Sequence, residues 1–166
     1  MTAARQPGKS RLALWGSLGL VLFGGILAPA GLQAASDDRV VVNSTSGLAI
    51  SGFDPVAYFT DAKPVIGRPD MELNQGGAVW RFHNEGNRAA FAAHPDVYVP
   101  RFGGYDPVAI ARGASVPGHP LFWAVAAKRL YLFYSDKARA TFIADPDRFI
   151  ERATRKWPEV ARTIGR

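Results

Sequence analysis

With 166 residues, 48% of them hydrophobic, and no cysteine, the chain can bury one domain core unaided, while disulfides, thiolate nucleophiles, iron–sulfur clusters and cysteine zinc sites are excluded. The net charge of +6 is inflated by Arg5, Lys9 and Arg11, since residues 1–34 hold no Asp or Glu and the remainder carries only +3. Those remaining charges are interspersed, so no nucleic-acid partner is expected.

Residues 1–34 read as a Sec-type signal peptide: a basic start, an uncharged apolar stretch from Leu12 to Leu27, and small-residue cleavage sites at Ala28-Pro29-Ala30 and Leu32-Gln33-Ala34. The apolar stretch is shorter than the roughly 20 residues a spanning helix prefers. Export to the periplasm is therefore expected, with membrane attachment only if residues 12–27 stay uncleaved. Residues 35–46 form a polar leader in which Val40-Val41-Val42 is a candidate edge strand.

From residue 47 the chain repeats itself. Gly52-Phe53-Asp54-Pro55-Val56-Ala57 returns as Gly104-Tyr105-Asp106-Pro107-Val108-Ala109, and after one deletion the spacing settles at 51. Val65, Gly67 and Pro69 recur as Val116, Gly118 and Pro120, Trp80 and Phe82 as Tyr131 and Phe133, and Phe91 as Phe142; His94–Tyr98 aligns with Asp145–Phe149. A fixed offset over such a length indicates a tandem duplication. Two copies are too few for a solenoid and suit two half-units, about 52–101 and 104–152, closing one core within a domain over 47–158 that leaves 159–166 as a tail.

In each copy Asp54 or Asp106 is placed as a helix N-cap, with Pro55 or Pro107 following and a short helix over Val56 to Phe59 or Val108 to Ala111. Hairpins follow: Met71–Asn74 with Ala78–Phe82 about a Gln75-Gly76-Gly77 turn, and Leu121–Val125 with Arg129–Phe133 about a glycine-free turn near Ala126-Ala127-Lys128. Asn84 and Ser135 are N-caps for helices Glu85–Ala93 and Asp136–Ala144, with Ala89, Phe91 and Ala92, then Ala138, Phe142 and Ile143, expected to face the core. Pro95 and Pro146 stop these helices and start others, the second reaching about Lys156, where Arg152, Arg155 and Lys156 complement the helix dipole and Trp157-Pro158 closes the fold. The expected class is α+β: two tandem helix–β-hairpin–helix half-repeats forming one pseudo-twofold domain around a shared aromatic core.

Asp-Pro-Val near the start, a hairpin ending aromatic-x-Phe, a capped helix and Pro-x-x-aromatic together resemble the YHS domain family, in its exported, double-length branch. The resemblance implies metal handling, copper in particular, through cysteines in DPVC and FCSxxC motifs. Those positions hold Ala57, His83, Asn84 and Asn87 in the first copy and Ala109, Tyr134, Ser135 and Ala138 in the second, while Asp106 stands where the exported branch commonly has cysteine.

The implied function is a non-catalytic binding or accessory module of the cell envelope, without cofactor, whose partner is a small ligand, a metal ion or an envelope protein. A divalent metal held by His83, Asp106 and His119 is one alternative, because zinc or copper needs three or four converging donors. An enzyme with a cleft around Tyr105 and Asp106 is another, with Asp54 as a second carboxylate and Arg101 as an anion contact. His83 is otherwise a polar residue before a helix, His119 a turn residue, and Gly103-Gly104 either a tight turn or a point of close approach.

Overall fold

In the computed structural model, which describes residues 40–41 and 47–164, the repeated sequence passes through the same order of elements twice. The first half contains a 3-10 turn at Ile50–Gly52, α1 (Ala57–Thr60), β1 (Arg68–Gln75), β2 (Ala78–Phe82), α2 (Glu85–Ala93) and α3 (Pro95–Tyr98). The second contains a 3-10 turn at Arg101–Gly104, α4 (Pro107–Ile110), β3 (His119–Ala126), β4 (Arg129–Phe133), α5 (Asp136–Ala144) and α6 (Pro146–Ala161). The class is α+β, with two separate two-stranded antiparallel hairpins. Residues 1–39, with the expected signal peptide, lie outside the described residues, as does Val42 of the leader. Among the described residues no helix is long and apolar enough to cross a membrane.

The recurring residues make matching close contacts between short segments of each half. Asp54 N–H donates to the Val65 carbonyl (2.8 Å) and Gly67 N–H to that of Gly52 (2.9 Å); Asp106 to Val116 and Gly118 to Gly104 repeat both bonds at 2.9 Å. Gly67 and Gly118 are required by proximity: a Cβ on Gly67 would lie 2.5 Å from the Arg81 backbone, and one on Gly118 2.6 Å from the Gly104 carbonyl. Both hairpins are bulged at one place, between Arg68 and Glu72 and between His119 and Trp123, where Pro69 and Pro120 have no N–H for the ladder. Tyr58 Oη donates across to the Pro120 carbonyl in the second bulge (3.0 Å), joining the halves.

The glycine-free turn forms the same two-residue connection as Gly76-Gly77, because Ala127 and Lys128 both adopt left-handed backbone (φ 47° and 58°) and preserve the register. The expected edge pairing is shifted along the chain. Leu48, not the valine run, bridges β2 in parallel at Val79, while Val41 exchanges backbone bonds with Gly103 and Ile50.

The aromatic core is divided in two, and β4 is the reason. Leu130 and Leu132 point to a cluster containing Tyr58, Trp80, Phe82 and Phe91, whereas Tyr131 and Phe133 point to one containing Phe102, Ile110, Phe142 and Val160. Strand alternation thus buries both faces of β4, while β2 leaves Val79 and Arg81 half-exposed. In α2 the core face is Asn87 and Phe91, one turn apart; Phe91 meets Trp80 (4.9 Å between ring centroids) and Phe82 (5.2 Å). Ala89 and Ala92, expected inside, are exposed, and so is Ile143 beside buried Phe142, since helical positions one or two residues from a buried one are rotated by about 100° or 200°.

Helix α6 runs past Pro158 to Ala161, so Trp157-Pro158 does not close the fold and the tail is shorter than expected. Phe149, Ile150, Ala153, Trp157 and Val160 make one apolar stripe on the second cluster, and its burial outweighs the backbone hydrogen bond that proline cannot donate. Arg152, Arg155 and Lys156 consequently sit mid-helix instead of at its end; Arg155 pairs with Glu151 and Lys156 with Glu159.

Candidate functional site

Asp54 and Asp106 occupy matching places, and each joins a helix start to the end of a hairpin. Asp54 Oδ1 accepts the N–H groups of Val56 (2.9 Å) and Ala57 (3.3 Å), and Oδ2 accepts that of His83 (2.9 Å), the first residue after β2. Asp106 Oδ1 accepts from Val108 (2.8 Å) and Ala109 (3.4 Å), and Oδ2 from Tyr134 (3.0 Å), the first residue after β4. Asp106 is thus the N-cap of α4, as expected, whereas Asp54 makes the matching bonds one turn ahead of α1, whose N-cap is Val56; neither aspartate faces water, Asp54 being 0% and Asp106 2% exposed. They share no hydrogen-bond partner, each serving its own half.

The halves diverge at the remaining acceptor positions. In the first, His83 Nδ1 (2.7 Å) and Asn87 Nδ2 (2.8 Å) also reach Asp54 Oδ2, bringing five donor contacts onto one carboxylate. Asn84 Nδ2 lies 2.7 Å from His83 Nε2, so the network assigns the tautomer: Nδ1–H donates to Asp54 and the Nε2 lone pair accepts from Asn84. Asn84 Oδ1 meanwhile caps α2 by accepting from Asn87 N–H (2.8 Å). In the second half Ser135 caps α5 in the same way, accepting from Ala138 N–H (3.2 Å), but Tyr134 is 66% exposed and Ala138 stands where Asn87 reaches inward. Among the described residues, Asp106 Oδ2 is left with the Tyr134 amide alone.

A cleft opens at that point. Asp106, Arg112, Val116, Tyr134, Lys137 and Ala138 line a volume of about 310 Å³, with the aspartate at its base and the two cations exposed at its rim. This is within the range of small-molecule sites.

The other candidate residues lie apart from it. Tyr105 packs its ring on Trp157 (5.9 Å between centroids) and bridges Pro117 through its backbone, so it belongs to the second core cluster. Arg101 lies over the Phe102 ring (5.2 Å) and close to the Tyr131 hydroxyl. Phe102, Gly103 and Gly104 are all left-handed, which makes the paired glycines a turn; a Cβ on Gly104 would meet nothing closer than 3.5 Å. His119 is exposed, stacks on Phe122 and accepts the Leu121 N–H (3.2 Å).

The donors do not fit a metal. His83 commits Nδ1–H to Asp54 and its Nε2 lone pair to Asn84, Asp61 stands 3.8 Å from Nε2, and neither Asp106 nor His119 is among its partners. Among the described residues no group of three or more His, Asp or Glu side chains is placed to hold an ion.

Burial, then the nearby Asp54 charge, raises the Tyr58 phenol well above its usual range; burial also raises Tyr131, opposed by Arg101 and Arg129. Comparison with protein-family models, curated proteins and solved structures finds no match for this chain. Sequence reasoning missed Asn87 as a buried partner of Asp54, and Arg112, Lys137 and Ala138 as the cleft wall. The signal for Asn87 was the exchange of Asn87 for Ala138 between the copies. Arg112 and Lys137 carry no comparable pattern.

Proposed function

We propose that this chain is an exported, cysteine-free member of the double-length YHS type, its two half-repeats related by a pseudo-twofold axis, acting as a non-catalytic binding or accessory module of the cell envelope. The observation that carries this reading is the use to which the two carboxylates are put. Both are buried and doubly bonded on one oxygen by backbone amides, and the imidazole beside Asp54 is locked by Asp54 and Asn84 with no hydroxyl or thiol nucleophile among its hydrogen-bond partners. These groups are occupied holding helices to hairpins, which suits a scaffold presenting a cleft. The repeated Gly-aromatic-Asp-Pro-Val-Ala segments and the signal-like leader support the family and the location.

The test is elemental analysis of protein purified from its native compartment with copper, zinc and iron available, together with intact mass under non-denaturing conditions. The expected result is no stoichiometric metal and a mature mass lacking residues 1–34. A stoichiometric metal overturns the binding-module reading, and a retained leader overturns its release from the membrane.

A further inference from the structure

The two halves pose one problem and solve it differently. Each buries a carboxylate whose Oδ1 caps a short helix and whose Oδ2 takes the amide after the hairpin. In the first half the protein itself supplies the further donors, an imidazole N–H and a primary amide, from His83 and Asn87. In the second half the equivalent positions are Tyr134, turned outward, and Ala138, cut back to a methyl, and the space opens as the 310 Å³ cleft. A carboxylate oxygen can accept two or more hydrogen bonds, so Asp106 Oδ2, which receives one, keeps acceptor capacity for a further donor. The cleft also has a second chemical character, since Arg112 and Lys137 stand at its mouth with neither engaged in an ion pair among the described residues.

We infer that this cleft is a binding site for a small zwitterion: an N–H donor head bonded to Asp106 Oδ2 where His83 and Asn87 serve Asp54, and an anionic group held between Arg112 and Lys137. The inference rests on the binding-module reading and deepens it by naming the ligand class. Apolar contact comes from Val116 and Ala138, and the volume of this half-open cleft suits a ligand the size of a free amino acid. Recognition is by charge and hydrogen bonding at both ends, so a fragment carrying only one end should bind more weakly.

The probe is imidazole-4-acetate, with 4-methylimidazole, acetate and inorganic phosphate as separate controls, titrated into the full chain and followed through the backbone amide resonances of Tyr134 and Ala138. Imidazole-4-acetate is expected to give saturable one-to-one shifts at these amides, about tenfold tighter than either half-fragment. Lys137→Gln, on an exposed side chain, should weaken imidazole-4-acetate about tenfold without weakening 4-methylimidazole, which has no carboxylate for it to hold. The double variant Tyr134→His with Ala138→Asn transplants the first half's donors; it should abolish binding and raise the melting temperature. Unchanged binding in a folded double variant overturns the assignment. So does acetate binding as tightly as the zwitterion, which would mark a plain anion site. Phosphate shifting the same amides while imidazole-4-acetate does not overturns the ligand class but keeps the binding module; a silent cleft with all four probes, alongside a stoichiometric metal in the native protein, overturns both.

Discussion

Replacing each buried aspartate by asparagine separates the two halves energetically. An asparagine keeps one acceptor oxygen and turns the other into an NH2 donor, and it can flip to choose which. At Asp106 the favourable flip keeps Oδ1 for Val108 and Ala109 and sacrifices only the Tyr134 amide. One hydrogen bond to a charged group is lost, about 1.5–3 kcal/mol. At Asp54 either flip is costly: one orphans two helix-start amides, the other opposes the NH2 to three donors from His83 and Asn87. At least two such bonds go, and the cost is about 3–5 kcal/mol, as for a broken buried network. Domains of this size are stable by about 5–15 kcal/mol, so Asp54→Asn should be marginally folded and Asp106→Asn comfortably folded. Urea unfolding followed by tryptophan fluorescence reads both from their midpoints. Equal costs, or a larger cost at Asp106, would refute the claim that His83 and Asn87 are structural partners of Asp54.

Tyr58 and Tyr131 make the protein alkali-sensitive. Their folded pKa values are raised, so the fold favours the neutral phenols; that contribution is complete below the unfolded value near 10 and is lost as pH rises above it, for Tyr58 at up to about 1.4 kcal/mol per pH unit. Tyr58→Phe should flatten this loss between about pH 10 and 12 in pH-dependent urea melts, while costing about 1 kcal/mol at neutral pH for the bond to Pro120. An unchanged alkaline slope would count against it. Gly67→Ala and Gly118→Ala should each destabilise by about 1–3 kcal/mol in thermal unfolding, because the new methyl meets backbone atoms that cannot move aside. Ala127→Asn with Lys128→Gly should instead raise stability by about 1 kcal/mol by supplying residues suited to the left-handed turn; a loss would show that the backbone there is not of that type.

Local chemistry made much of the fold legible. Asn84 and Ser135 cap the helices they were expected to cap, and those helices run over Glu85–Ala93 and Asp136–Ala144 as read, because cap side chain and following period act within a single turn. The hairpins were legible from alternation, their start less so: the bulges at Pro69 and Pro120 extend β1 and β3 backwards where no alternation announces a strand. The extension of α6 through Pro158 was illegible for a similar reason. Proline reads locally as a stop, and only the stripe ending at Val160 overrules it.

Sequence by itself determined that a Gly-aromatic-Asp-Pro-Val-Ala segment occurs twice, that the chain has no thiol chemistry, and that Asp54 and Asp106 lie just ahead of short helices, since each follows from residue identity and near neighbours. Tertiary structure alone decided that the caps are buried, that β4 divides the core into two clusters, and that His83 and Asn87 close one half while Tyr134 and Ala138 leave the other open. Those outcomes depend on which face of an element meets which distant partner. His83 and Asn87 stand 29 and 33 residues from Asp54, and only folding puts their donors on its carboxylate.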